Sequence, residues 1–391
     1  MVETFGLLRT PKIYCGTGEI SRLHSLLKNR CKRALVLTGS KSYSHNKAIA
    51  ELISKLEKEN IVLNFERIEH EPLPEDIDRI TNRYRDLDLQ AVVAVGGGSV
   101  LDAGKAVSAM LPMTGPAMEY LEGVGTRLHP GIKVFFVAVP TTAGTGSECT
   151  ANAVLSGSTG GVVFKRSLRH ENLVPDVAIV DASLSLSCPR TTTAASGMDA
   201  LTQLIESYLS VKSGPVTDAL ALEGIVQIHN NLSKAWENGE NINARSGMAY
   251  AAMLSGITLA NAGLGLIHGF ASSVGASFEI PHGIVCGTMM AVVNRYNIHS
   301  VLSGGDKGNL TKKYVFLGKI FSGIESRGNE WYLKFVADYL DDMTSRLEIP
   351  RLGNYGVSTS DLERIAALTD HKSNPVHFEK EQLVEMLEKR L

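Results

Sequence analysis

The stretch Ala91-Val92-Val93-Ala94-Val95-Gly96-Gly97-Gly98-Ser99-Val100-Leu101-Asp102-Ala103-Gly104-Lys105 decides the fold class. It begins as a continuous β-rich apolar run, the pattern of a strand buried on both faces. Three glycines end the strand, and Ser99, Asp102 and Lys105 fall on the first turns of a following helix. Glycines between a parallel strand and a helix let backbone N–H groups approach a phosphate, where the helix N-terminus adds a favourable dipole. The spacing departs from both common phosphate fingerprints. The last glycine of G-x-G-x-x-G would fall at Leu101, and the P-loop spacing is not met. A bare strand-to-helix turn would also need glycine, but not three in a row followed by this polar set.

Outward from this stretch, apolar runs at 33–39, 61–65, 134–139 and 177–181 predict further strands. Between them, 47–59 carries the helical stripe Ile49, Leu52, Ile53 and Leu56, and 77–86 is a second, polar-faced helix. Continuous apolar strands separated by helices predict a parallel sheet covered on both faces. Beyond about residue 184 helical periods dominate, at 193–211, 216–230, 243–259, 265–278, 286–296, 330–347 and 360–367. The reading is an N-terminal α/β dinucleotide-binding domain, 1–183, and a C-terminal all-helical domain, 184–391. A linker is expected at 183–189.

Composition narrows the function. The 391 residues have room for two cores. With 39 Lys and Arg against 41 Asp and Glu the net charge is −2, so no nucleic-acid or anionic-membrane partner is expected. No apolar run approaches the ~18–20 residues of a bilayer span. The start, Met1-Val2-Glu3-Thr4-Phe5, lacks a basic segment followed by an apolar one, so no secretory signal is expected. Five scattered cysteines without a C-x-x-C pair read as reduced thiols in a cytoplasmic protein.

Two further clusters carry chemistry. After the strand at 134–139 comes Pro140-Thr141-Thr142-Ala143-Gly144-Thr145-Gly146-Ser147-Glu148, whose hydroxyls suit a ribose, a pyrophosphate or a carboxamide. Both this and the glycine cluster fall at carboxyl ends of parallel strands, where open α/β sheets bind ligands. In the helical half, Asp199 and Gln203 are four residues apart and share a helix face. His268 sits among apolar residues and His282 at a Pro/Gly turn. Two imidazoles and a carboxylate suit Zn²⁺ or Fe²⁺ with an open coordination position. Taken singly, either histidine could equally be a hydrogen-bonded core residue.

Together these motifs resemble the iron-containing (group III) alcohol dehydrogenase family. The resemblance runs through Pro11-Lys12-Ile13-Tyr14, Glu71-Pro72-Leu73-Pro74, Gly96 to Asp102 with Lys105, and Pro140 to Glu148. It continues at Lys165, Pro175, Gly197-Met198-Asp199-Ala200-Leu201, His268, Pro281-His282-Gly283 and Asn374-Pro375. It implies a dehydroquinate-synthase-like pair of domains with the site in the cleft between them, a homodimer, and NAD(P)-linked oxidation of small alcohols or reduction of aldehydes. It implies one divalent metal, Zn or Fe, on Asp199, His268 and His282, polarising the substrate oxygen for hydride exchange with nicotinamide. Gly97, Gly98 and Ser99 would hold the pyrophosphate, and Thr141, Thr142 and Thr145 would flank the nicotinamide ribose. Asp102 and Lys165 would contact ribose or phosphate, or form ion pairs.

Three departures stand out. Gln203 replaces the family's usual histidine, as a weak fourth ligand or a group supporting the others; glycerol dehydrogenases similarly use one Asp and two His with zinc. Ser272 stands where the family often has another histidine, so a proton relay would pass through Ser272, a ribose hydroxyl or water. The first strand ends Thr38-Gly39-Ser40-Lys41 without the acid that repels a 2′-phosphate. Gly39, Ser40 and Lys41 therefore favour NADP(H) over NAD(H), unless Lys41 is simply solvated. Two alternatives remain: a metal- and NAD-dependent lyase or cyclase of the dehydroquinate synthase type, and a degenerate nucleotide-binding member without metal.

Overall fold

The computed structural model describes residues 5–39, 47–159, 162–305 and 309–391. In chain order the first half is β1 (Lys12–Cys15), α1 (Arg22–Lys28), β2 (Arg33–Thr38), α2 (Lys47–Lys58), β3 (Val62–Arg67) and α3 (Pro74–Tyr84). It continues with β4 (Ala91–Gly96), α4 (Gly98–Met110), β5 (Phe135–Pro140), β6 (Asn152–Thr159), β7 (Val162–Arg169) and β8 (Val177–Val180). The second half is helical: α5 (Arg190–Leu209), α6 (Pro215–Glu237), α7 (Ile242–Ala262), α8 (Leu266–Gly275) and α9 (His282–Ser300). After these come α10 (Leu310–Ser322), α11 (Asn329–Arg346), α12 (Leu362–Leu368) and α13 (Lys380–Glu388). The fold is a two-domain α/β plus all-helical architecture.

The main sheet has the order β1-β8-β5-β4-β2-β3, with every pairing parallel. Strand residues alternate between two cores, which is why the runs read as continuous. Leu35, Leu37, Val92, Ala94 and Phe136 face α3 and α4 on one side. Val36, Val93, Val95, Val137 and Ile179 face α1 and α2 on the other. Each fully buried side chain of this size contributes about 1.5–3 kcal/mol. From β2 the chain passes outward to β3 and returns to place β4 on the other side of β2. The switch point therefore lies between the carboxyl ends of β2 and β4, at Gly39 and Gly97.

Several elements were not legible beforehand. β1 is a short edge strand recruited by β8. β6 and β7 form an antiparallel hairpin packed on α4; apolar residues come only three at a time there, at 153–155 and 162–164, too short a run to announce a strand. α10 and α13 also escaped the helical reading. The expected linker at 183–189 is a packed corner: Leu184 is buried beneath the sheet, and Arg245 of α7 donates to the Cys188 carbonyl at 3.0 Å. Among the described residues no single helix is long and apolar enough to cross a membrane.

The two halves meet where α7 packs against β8 and the turn Ser147–Cys149. Gly146, with φ +62°, lies against Gly256 of α7. A Cβ on Gly256 would stand 2.1 Å from the Gly146 carbonyl oxygen, so neither backbone leaves room for a side chain. Gly256→Ala should therefore lower stability by about 1–3 kcal/mol through overpacking, read as a reduced thermal midpoint. An unchanged midpoint would show that this joint is slack.

Candidate metal and nucleotide site

Asp199, Gln203 and Glu206 follow one another along one face of α5, all buried. Gly197 lets α6 approach this helix: a Cβ there would meet Leu232 Cδ1 at 2.2 Å. Glu206 reaches across to α8, where its Oε1 accepts from Ile267 N at 2.6 Å and satisfies a free N–H of the helix start. Its other oxygen, Oε2, lies 2.6 Å from His268 Nδ1. An ionised carboxylate only accepts, so Nδ1 carries the proton and Nε2 keeps its lone pair for a ligand.

His282 is the first residue of α9, whose N-terminal end presses on α5. A Cβ on Gly283 would stand 2.2 Å from the Ala195 carbonyl oxygen. As a result His268 Nε2 lies 3.3 Å and His282 Nε2 3.8 Å from Asp199 Oδ1. Asp199 Oδ1 is itself buried and, among the described residues, has no hydrogen-bond partner. Burial alone would raise the Asp199 pKa; the imidazoles of His282 and His268 pull it below its ordinary value. One turn beyond His282, Cys286 Sγ lies 3.8 Å from His268 Nε2. One donor atom from each of Asp199, His268, His282 and Cys286 lies within 4.8 Å of the others.

Gln203 is adjacent, but its Oε1 accepts from Ser255 Oγ of α7 at 2.6 Å. Ser272 is exposed one turn after His268, with Oγ donating to the His268 carbonyl at 2.8 Å. Two residues of this centre were missed in the sequence. Glu206 lies two helical turns beyond Asp199, and Cys286 lies four residues after His282. Both spacings were available as signals, but neither residue type is diagnostic on a helix without knowing what packs opposite.

On the other side of the cleft, the two loop clusters pack against each other. A Cβ on Gly98 would stand 2.6 Å from Thr145 Cγ2, and one on Gly97 3.3 Å from Thr142 Oγ1. Gly97, Gly98 and Ser99 are half-buried at the start of α4, with Thr142 and Thr145 half-buried beside them and Thr141 buried. A crevice lined by Thr141, Thr142, Glu148, Asp181 and Ala249 opens between the domains.

Beneath it lies Lys105, fully buried, whose Nζ donates to Ser147 O at 2.9 Å, Thr150 Oγ1 at 2.9 Å and Asn152 O at 2.6 Å. Burial lowers its pKa to about 8 against the opposing pull of Asp102 and Glu148. Asp102 accepts from Ser147 Oγ and from Val154 N, so its carboxylate ties α4 to the loop and hairpin. Lys165 on β7 pairs with Glu71 at 2.6 Å, and its Nζ is 3.4 Å from where a Cβ on Gly275 of α8 would sit. Lys165 thus stands at the mouth of the cleft. Gly39 is half-buried at the end of β2, while Ser40 and Lys41 lie outside the described residues.

The iron-containing alcohol dehydrogenase family matches residues 10–182, and the C-terminal domain of that family matches residues 193–391. The chain belongs to the iron-containing alcohol dehydrogenase family. It is 30% identical to alcohol dehydrogenase 4 of Saccharomyces cerevisiae, over all of this chain and 99% of the yeast protein. It is 35% identical to the NAD-dependent methanol dehydrogenase of Bacillus methanolicus over 74% of each chain. The crystal structure of a 1,3-propanediol oxidoreductase superposes with a TM-score of 0.88 at 27% identity, covering all of both chains.

The protein is thus a metal-dependent, NAD(P)-linked oxidoreductase acting on CH–OH groups of small alcohols or on aldehydes. The family implies a divalent metal, typically iron. The donor set fits such an ion: a buried carboxylate oxygen without a partner, a histidine with its lone pair freed by Glu206, and a second imidazole beside it.

The crevice also holds a titrating group. Glu148 is buried, and burial raises its pKa to about 7 from the ordinary 4.5. A raised folded-state pKa stabilises the fold below pH 4.5, and that contribution is lost as pH rises through about 7. Glu148→Gln removes this titration. The thermal midpoint of wild type relative to the variant should therefore fall between pH 4.5 and 7 and level off above that range. A difference independent of pH would show that Glu148 does not titrate in that window.

Proposed function

We propose that the chain is an NADP(H)-preferring alcohol dehydrogenase or aldehyde reductase whose metal, Zn²⁺ or Fe²⁺, is held by Asp199, His268 and His282. The observation that carries this reading is the buried, unpartnered Asp199 Oδ1 facing two imidazoles. An ionised oxygen taken out of water without a partner costs several kcal/mol, and a cation at that point removes the penalty. A divalent ion there supplies Lewis acidity to an alcohol or aldehyde oxygen.

The chain's own residues do the rest. Gly97, Gly98 and Ser99 offer backbone N–H groups at the start of α4 to the pyrophosphate. Thr141, Thr142 and Thr145 line the ribose, on a loop held from beneath by Lys105 and Asp102. Lys165 and Glu71 border the cleft mouth. Ser272, exposed one turn from His268, is placed to pass a proton toward solvent. The preference for NADP(H) rests on Gly39 at the end of β2, which stands where an acidic residue would oppose a 2′-phosphate. The NAD-dependent methanol dehydrogenase of Bacillus methanolicus marks the other choice within the family. We further place the domain boundary at residues 183 and 184, and read the protein as a cytoplasmic homodimer.

Oxidation of NADPH with short aldehydes should be lost on chelation and return with Zn²⁺ or Fe²⁺. Asp199→Ala combined with His282→Ala should abolish both turnover and metal content, whereas full activity in that double variant would remove the metal from the mechanism. For the cofactor, Gly39→Asp should raise the KM for NADPH roughly tenfold, about 1.4 kcal/mol, and leave NADH little changed. Equal effects on both cofactors would mean that position 39 does not face the 2′ position.

A further inference from the structure

We propose that Cys286 is a fourth protein ligand of this metal, bound as thiolate, in place of Gln203. The inference rests on the metal-centre reading above and goes beyond its three donors. Cys286 follows His282 by four residues on α9, so both side chains lie on one helix face. It is fully buried, with Sγ 3.8 Å from His268 Nε2 and within 4.8 Å of the Asp199 and His282 donors.

These separations are those of a coordination polyhedron. Metal–nitrogen and metal–oxygen bonds of about 2.0–2.1 Å and a metal–sulfur bond of about 2.3 Å give tetrahedral edges of roughly 3.3 Å for N···O and 3.6 Å for S···N. The observed edges are 3.3 Å and 3.8 Å to Asp199 Oδ1 and 3.8 Å to Sγ. These three edges lie within about half an ångström of the tetrahedral values, and the remaining donor separations are no longer than 4.8 Å.

The competing donor is already engaged. The Gln203 carboxamide oxygen accepts from Ser255 Oγ at 2.6 Å, whereas Cys286 Sγ is turned toward His268 Nε2 and the Asp199 and His282 donors. Binding as thiolate sends the thiol proton to solvent as the S–metal bond forms. The fourth donor has thus moved from α5 to α9. Sulfur in the set also favours Zn²⁺ over Fe²⁺.

The test uses the full chain, stripped by chelation and reloaded with Co²⁺. Wild type should show ligand-field bands together with a near-ultraviolet sulfur-to-cobalt charge-transfer band. Cys286→Ser should keep the ligand-field bands, lose the charge-transfer band and bind Co²⁺ roughly 10–100-fold more weakly, the range in which a lost supporting contact is felt. Gln203→Ala should keep the charge-transfer band. Zinc-edge X-ray absorption of wild type, which needs no variant, should show one sulfur neighbour at about 2.3 Å. Cobalt bound without the charge-transfer band, a band that persists in Cys286→Ser, or a zinc site without sulfur overturns this proposal and leaves the three-donor centre intact. A wild-type chain that binds no divalent ion overturns both.

Discussion

A carboxylate oxygen buried without a partner is the constraint around which the helical half is arranged. Asp199 Oδ1 sits inside packed helices, where an ionised oxygen is tolerated only opposite positive charge. α5 carries it in, α8 and α9 bring imidazoles to it, and Glu206 serves two ends at once. One Glu206 oxygen satisfies the start of α8 and the other fixes which nitrogen of His268 is free. Gly283 belongs to the same arrangement: without a side chain there, α9 closes on the Ala195 carbonyl of α5 and carries His282 in, while Gly197 lets α6 pack behind α5.

The nucleotide half follows a different logic, since a phosphate needs backbone N–H groups more than side chains. β4 and α4 supply them at the switch point of a parallel sheet, and the Pro140–Glu148 loop closes against them through Thr142 and Thr145. Lys105 is spent on structure here. Its four acceptors among the described residues lie in the loop and hairpin, so a buried cation holds the crevice floor in shape instead of reaching a ligand. The Gly146–Gly256 joint then sets how far this crevice lies from the metal helices. Hydride exchange depends on that distance.

Much of this was readable in advance because it is local. The strands 33–39, 134–139 and 177–181 appear within a residue or two, since both faces are buried and the run between the strand ends is apolar. Glycine and hydroxyl clusters announce themselves for the same reason: their chemistry is contiguous. The β6–β7 hairpin was invisible, because Ser156, Gly157 and Ser158 owe their strand conformation to pairing with β7 and packing on α4, not to their own preference. Asp102 and Lys165 were open between ligand contact and ion pairing. Their partners, Ser147 and Glu71, lie 45 and 94 residues away.

The amino-acid sequence alone determined the parallel sheet, the helical second half, the glycine turn after β4 and three members of the Asp199, His268, His282 and Cys286 cluster, because hydrophobic periodicity and short motifs are properties of neighbouring residues. Tertiary structure alone decided which side chain joins these three. Asp199, His268 and Cys286 come from three helices separated by many residues, and the packing of α8 and α9 on α5, with Gly283 against the Ala195 carbonyl, brings their donor atoms within 4.8 Å of one another. Gln203, one turn from Asp199, had the better claim by spacing. Ser255 on a packed neighbouring helix holds its carboxamide oxygen, and Cys286 occupies the position facing the ligands.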